Sequence, residues 1–238
     1  MATIIHERFD KYLFIGVFIT ALILIVNQVL ISGIASSYSS AGTSRGILSF
    51  GGKQVNIKDV DVSQIQSTQM AVGLLFPELK SLKNQDDAVS IMIPSGAPDY
   101  SEKLGGITFD DPVTSLTYLS KWYPTIKEEV KKDPQLWQRY LNLATNPRGI
   151  SCEFCCGVGA SGVGKSGDLL CGCQHNPAVQ ALTLGLMKST DYSDAEVLRE
   201  VMRWKALFFP KNMVETALSV AGKDASELKS LPGMVGGC

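Results

Sequence analysis

Apolar residues run without a single charge from Tyr12 to Ala35. At about 1.5 Å per residue, a helix of that length covers roughly the 30 Å hydrocarbon core of a bilayer. Arg8 and Lys11 precede the run, and no basic residue follows until Arg45. The excess of positive charge on that side predicts a transmembrane anchor over 12–35, with residues 1–11 cytoplasmic and the C-terminal domain extracytoplasmic. A cleaved signal peptide is the rival reading, because Gly33-Ile34-Ala35 has the small-x-small form of a cleavage site. The apolar stretch is nevertheless longer than a signal core of about 7–15 residues. Residues 36–46, SSYSSAGTSRG, are small and polar and read as a flexible stalk.

Beyond the stalk the pattern divides into 47–147 and 148–238. Residues 47–62 alternate apolar and polar around Gly51-Gly52, which predicts a short hairpin. Residues 64–83 predict a helix that Pro77 ends or kinks. The run AVSIMI, residues 88–93, predicts a buried strand stopped by Pro94. From there the periodicity is helical. Asp111-Pro112 and Asp133-Pro134 each pair a capping side chain with a first-turn proline. Val113, Leu116, Leu119 and Trp122 share one face after the first of these. Residues 125–132 are strongly charged and read as a solvated helix. Leu136, Trp137, Tyr140, Leu141 and Leu143 form the apolar side after the second, which Asn146-Pro147 closes. Asn176-Pro177 predicts another start, for a helix apolar on nearly every side and therefore buried. Ser193 and Glu196 form a capping box for a helix that Pro210 stops. A last helix is expected over roughly 212–221. The fold class predicted is mainly α with a small β component, an α+β ectodomain behind one membrane helix.

Composition narrows the partners. The chain has 238 residues and a formal net charge of −1, with mixed signs. That balance offers no basic face for nucleic acid. The membrane itself, and other membrane or extracytoplasmic proteins, are the partners the pattern suggests.

The chemistry-bearing residues are concentrated. Cys152, Cys155, Cys156, Cys171, Cys173 and His175 fall in one short segment, and Cys238 closes the chain. Thiolate and imidazole are the donors that soft and borderline metals prefer. C-x-x-C lets two sulfurs converge across a tight turn, and here a third cysteine adjoins it. C-x-C-x-H supplies two more sulfurs and an imidazole just before a helix, whose N-terminal dipole favours thiolate over thiol. The glycine-rich loop between the halves can bring them together, and Gly236-Gly237 allows Cys238 to fold back. Copper or zinc is the expected metal, with an iron–sulfur cluster as a further option. Outside the cytoplasm, thiols without a metal oxidise. A purely disulfide-braced ectodomain and a thiol–disulfide or electron-transfer pair therefore stay open beside a metallochaperone, metal store, metal sensor or structural metal site. No catalytic residue stands out. His6 lies on the other side of the predicted anchor.

The same loop contains Gly159-Ala160-Ser161-Gly162-Val163-Gly164-Lys165-Ser166, which matches the phosphate-binding pattern G-x-x-x-x-G-K-[ST]. That motif works between a buried strand and a helix. Here cysteines precede it, and Lys165 is only six positions from Cys171. No nucleotide is expected.

The run I-S-C-E-F-C-C-G, then C-G-C-Q-H-N, and later W-K-A-L-F-F-P resembles a Cys-rich family of membrane-anchored proteins of archaea and little-studied bacteria. Those proteins carry a C-E-x-C-C-G and C-G-C-x-H core. More distantly the run is similar to bacterial lipoproteins with a C-Y-C-G-C core that are regarded as metal-binding. The resemblance covers about residues 148–210. It implies that Cys152, Cys155, Cys156, Cys171, Cys173 and His175 form one shared site, and it brings no established reaction. Trp204, Lys205, Phe208 and Phe209 also match and read as core packing beneath that site.

Overall fold

A computed structural model describes residues 56–226, 228 and 230–237. The predicted anchor, the stalk and Cys238 lie outside the described residues. Among the described residues no helix is long and apolar enough to cross a membrane.

Eight helices are described: α1 (Thr68–Leu75), α2 (Gln85–Met92), α3 (Pro112–Lys131), α4 (Pro134–Ala144), α5 (Glu153–Cys156), α6 (His175–Ser189), α7 (Asp194–Phe208) and α8 (Pro210–Val220). The small β component reduces, among the described residues, to two isolated bridges, Ile150 with Ser161 and Val163 with Leu169.

The caps behave as the sequence predicts at three starts. Asp111 accepts from Thr114 N, Asp133 from Gln135 N and Leu136 N, and Ser193 and Glu196 close a capping box. Elsewhere local side-chain bonds override the periodicity. The expected strand over 88–93 is the second half of α2. Asn84 accepts from Asp87 N, and the Asp87 carboxylate accepts from Asn84 N, so a capping box nucleates a helix before the apolar run begins. Ala88 and Met92, one turn apart, face the core. The described end of the expected hairpin is instead two 3₁₀ turns, Ile57–Asp59 and Val62–Gln64, capped by Asn56 and Asp61. The rest of that hairpin, 47–55, lies outside the described residues. The charged stretch after Tyr123 is no separate solvated helix. It continues α3 through Pro124 and buries Ile126 and Val130. Pro210 opens α8 two residues earlier than expected, which suits a proline at the first helical position.

α6 is the centre of the domain. Every residue from Ala178 to Met187 is buried. Its longest partner is α3, and it also packs on α4 and α7. Gly185 permits the approach to α3, since a Cβ there would lie 2.8 Å from the Trp122 ring. The buried strip of α7 places Trp204 among Phe109 and Phe208, with its indole N–H donating to Tyr100 Oη at 2.9 Å. Tyr100 in turn donates to Glu200 at 2.7 Å, so the buried polar atoms are paired.

Tyr123 on α3 is 5% exposed, and burial pushes its phenol up to about 12. The folded state therefore holds a proton that the unfolded chain releases near pH 10. Stability from this group is complete below pH 10 and is lost as pH rises toward 12, up to roughly 2–3 kcal/mol. Tyr123→Phe should flatten the fall in denaturation midpoint across that window. Equal slopes for the two proteins would refute this.

Candidate metal centre

Backbone pairing builds the site before any cysteine is considered. Residues 149–151 lie beside 159–161, with Gly149 N donating to Ala160 O at 2.8 Å and Ser151 Oγ to Gly159 O at 2.6 Å. The chain makes the single turn α5 between these segments and leaves it through Gly157 in the left-handed region, φ 67°. A tight hairpin follows, in which Gly164 N donates to Asp168 O and Gly167 N to Gly164 O. Leu170 N returns to Gly162 O at 3.0 Å and delivers Cys171 to the start of α6.

α6 grips this loop from below. The Asn176 amide donates to Gly162 O at 2.8 Å and to Cys171 O at 3.3 Å. Gln180 donates to Ile150 O at 2.8 Å and accepts from Tyr140 Oη at 2.9 Å. Asn176 is thus no helix cap. The helix starts one residue earlier, at His175, after Gln174, and Asn176 turns inward, giving the Cys171 carbonyl a donor and the Gly162 carbonyl a second one. This bracing went unread in the sequence, where Asn176 and Gln180 look like ordinary helix positions.

Both cysteine segments meet. One ligand atom each from Cys152, Cys156, Cys171 and Cys173 lies within 4.8 Å of the other three. Cys156 and Cys171 are joined as a disulfide, and the Cys173 thiol donates to Cys152 Sγ at 3.0 Å. Cys171 therefore has no thiol to titrate. A second group, also within 4.8 Å, comprises Cys155, Cys173 and His175. Cys173 belongs to both. Sulfurs around a tetrahedral zinc stand roughly 3.8 Å apart, given Zn–S bonds of about 2.3 Å, so the four sulfurs match that donor set in type and number and reach its spacing only once the Cys156–Cys171 bond is reduced. The cluster can hold a metal ion, and its donors also suit an iron–sulfur centre.

Among the described residues the surroundings are apolar with one buried cation. Phe154 packs on Phe209, and the His175 ring lies 4.8 Å from Phe209 and 5.6 Å from Phe208. Burial raises the Cys152 thiol well above the usual range, reinforced by Cys173 and Cys155. Ionising it therefore takes a bound cation. Burial likewise lowers the imidazole of His175, partly opposed by its bond to the Val235 carbonyl. Lys205, read from the sequence as core packing, is fully buried in a cage, and burial lowers its ammonium below the usual range, partly opposed by the Glu153 carboxylate. Nζ donates to Glu153 at 2.8 Å, Gly149 O at 2.9 Å and Thr68 Oγ1 at 3.1 Å, and lies 5.1 Å from the Phe154 ring centre. Cys152 in turn acts on the ammonium, raising its pKa against the effect of burial. A lysine on the apolar face of α7 and a glutamate inside C-E-F-C-C were the available signals.

The chain's end reaches the site. Val235 N donates to Phe208 O at 2.8 Å, and Val235 O is 2.8 Å from His175 Nε2. Cys238, three residues on, lies outside the described residues.

Gly164, Lys165 and Ser166 occupy the hairpin turn, with Ser166 Oγ donating to Asp168 at 2.7 Å. No helix follows them before α6, so the strand–loop–helix setting of a phosphate loop is replaced by a turn that satisfies itself.

No protein-family model, curated protein or solved structure matches the chain.

Proposed function

We propose that this chain is a membrane-anchored, extracytoplasmic metal-binding protein, held by the 12–35 span and binding copper or zinc through its Cys/His cluster. The observation that carries the reading is the convergence of four sulfurs, from Cys152, Cys156, Cys171 and Cys173, drawn from two loop segments. Dense thiolate donors suit copper(I) and zinc. A disulfide between two of those donors accords with an oxidising compartment. Cys238 is included as a further donor, since the tail that carries it is fastened to His175 through Val235. The role is that of a metallochaperone, store or sensor, or of a metal that braces the fold, in keeping with the Cys-rich anchored family it resembles.

A thiol–disulfide exchange protein is the second reading. It draws on an exposed disulfide sulfur at Cys156 beside a buried dithiol, Cys152 and Cys173, 3.0 Å apart.

Elemental analysis with a parallel thiol count separates the two. Full-length protein, purified without chelator and reduced by a dithiol, should hold stoichiometric copper or zinc. It should lose the ion of the four-sulfur position when Cys156 and Cys171 are reoxidised. Fully reduced protein that takes up neither metal would overturn the proposal and favour exchange chemistry.

A further inference from the structure

The two ligand groups share Cys173, and this overlap has a physical marker. His175 is fully buried. Its Nε2 faces the Val235 carbonyl at 2.8 Å, and a carbonyl can only accept, so Nε2 carries the proton. Nδ1 then presents a lone pair. That atom is buried and has no hydrogen-bond partner among the described residues. An uncompensated polar atom in an apolar pocket is destabilising. One ring nitrogen of His175 lies within 4.8 Å of the sulfurs of Cys155 and Cys173, and with Nε2 taken by Val235, Nδ1 is the nitrogen left to bind an ion, which supplies the reason to tolerate that cost. Metal-bound imidazoles characteristically donate their other N–H to a carbonyl, which fixes tautomer and ring orientation.

We infer that the cluster is a two-ion site. Resting on the metal-binding reading above, a second ion sits at Cys155, Cys173 and His175, and the Cys173 thiolate bridges it to the ion in the four-sulfur position. Two borderline or soft cations sharing a thiolate is a chemistry such donors support. Three protein donors among the described residues leave the second ion a coordination position for an exchanging ligand.

The two positions differ in their dependence on redox state. None of Cys155, Cys173 and His175 belongs to the disulfide. The four-sulfur position, by contrast, needs the Cys156–Cys171 bond reduced. An external dithiol transfers two electrons and two protons, becomes a disulfide itself, and leaves two thiols that release their protons on metal binding. The oxidised protein therefore retains the second ion alone, and the reduced protein holds both.

The test is zinc content of the full-length chain in mild detergent, after equilibration with zinc and gel filtration, in both redox states. Wild type should hold about two ions reduced and about one oxidised. His175→Ala should hold about one reduced and none oxidised. Cys155→Ser, at a half-buried position, should behave the same and avoids opening the core. Melting curves of the zinc-free proteins report whether each variant folds. Cobalt in place of zinc should lose part of its thiolate charge-transfer band in both variants. If reduced wild type holds one ion and the variants are unchanged, the bridged second site is overturned while metal binding stands. If reduced wild type holds none, the metal-binding reading itself fails.

Discussion

Lys205→Ala should be among the most damaging single changes in the domain, costing on the order of 3–5 kcal/mol in chemical denaturation. The ammonium is fully buried and every one of its protons has an acceptor, in Glu153, Gly149 O and Thr68 Oγ1. Truncation removes all three bonds at once. It also leaves the Glu153 carboxylate beside an apolar hole. The pair Lys205→Met with Glu153→Leu removes both charges and keeps most of the volume. Its deficit should shrink to that of the bonds lost at Gly149 O and Thr68 Oγ1, roughly 1–3 kcal/mol. Equal loss in the two proteins would show that the ion pair is not what matters. The double variant carries a second expectation. The cation coupled to Cys152 is then gone, and zinc affinity should fall about 10–100-fold in a chelator competition. Unchanged affinity would assign Lys205 to folding alone.

Gly162→Ala should be nearly as severe, and through a different cause. A Cβ there would lie 2.3 Å from Gln180 Nε2, 2.4 Å from Asn176 Oδ1 and 2.4 Å from Ile150 O. The third of these is backbone and cannot swing aside. Overpacking and the loss of the buried amide bonds together amount to about 3 kcal/mol or more. For a chain of this size that is a melting point lower by roughly 6–12 °C. Gly164→Ala, two residues on, meets nothing nearer than 3.7 Å and should stay within about 0.5 kcal/mol of wild type. Lys165→Ala should be equally quiet. A phosphate-binding loop demands the reverse ranking, with Lys165 indispensable to nucleotide binding, so this trio of melting curves also tests what the glycines are for.

The helix starts were legible because a capping side chain followed by proline, or a capping box, is a local signal that needs no tertiary partner. Asp111, Asp133 and Ser193 are read correctly for that reason. The 88–93 run resembles a strand because its apolar residues have no periodicity of their own, and the deciding box, Asn84 with Asp87, lies upstream of it. At the site, residue types and spacing disclosed the cysteines and His175. They did not disclose which sulfurs pair, since Cys156 can reach any of several partners through a glycine-rich loop. The supporting residues were harder still. Val235 contributes only a carbonyl, which no side-chain pattern reveals, and Asn176 exchanged an expected cap for a buried bracing role.

Cys156 and Cys171 stand 15 residues apart in sequence, and the disulfide closes the loop between them. Closing a loop of that length restricts the unfolded chain by about 3 kcal/mol. A shared ion coordinating both sulfurs ties the same two points. The loop therefore stays tethered whether its ends are joined by a covalent bond or by a cation. What changes between the two states is the count of electrons and the charge at the cluster.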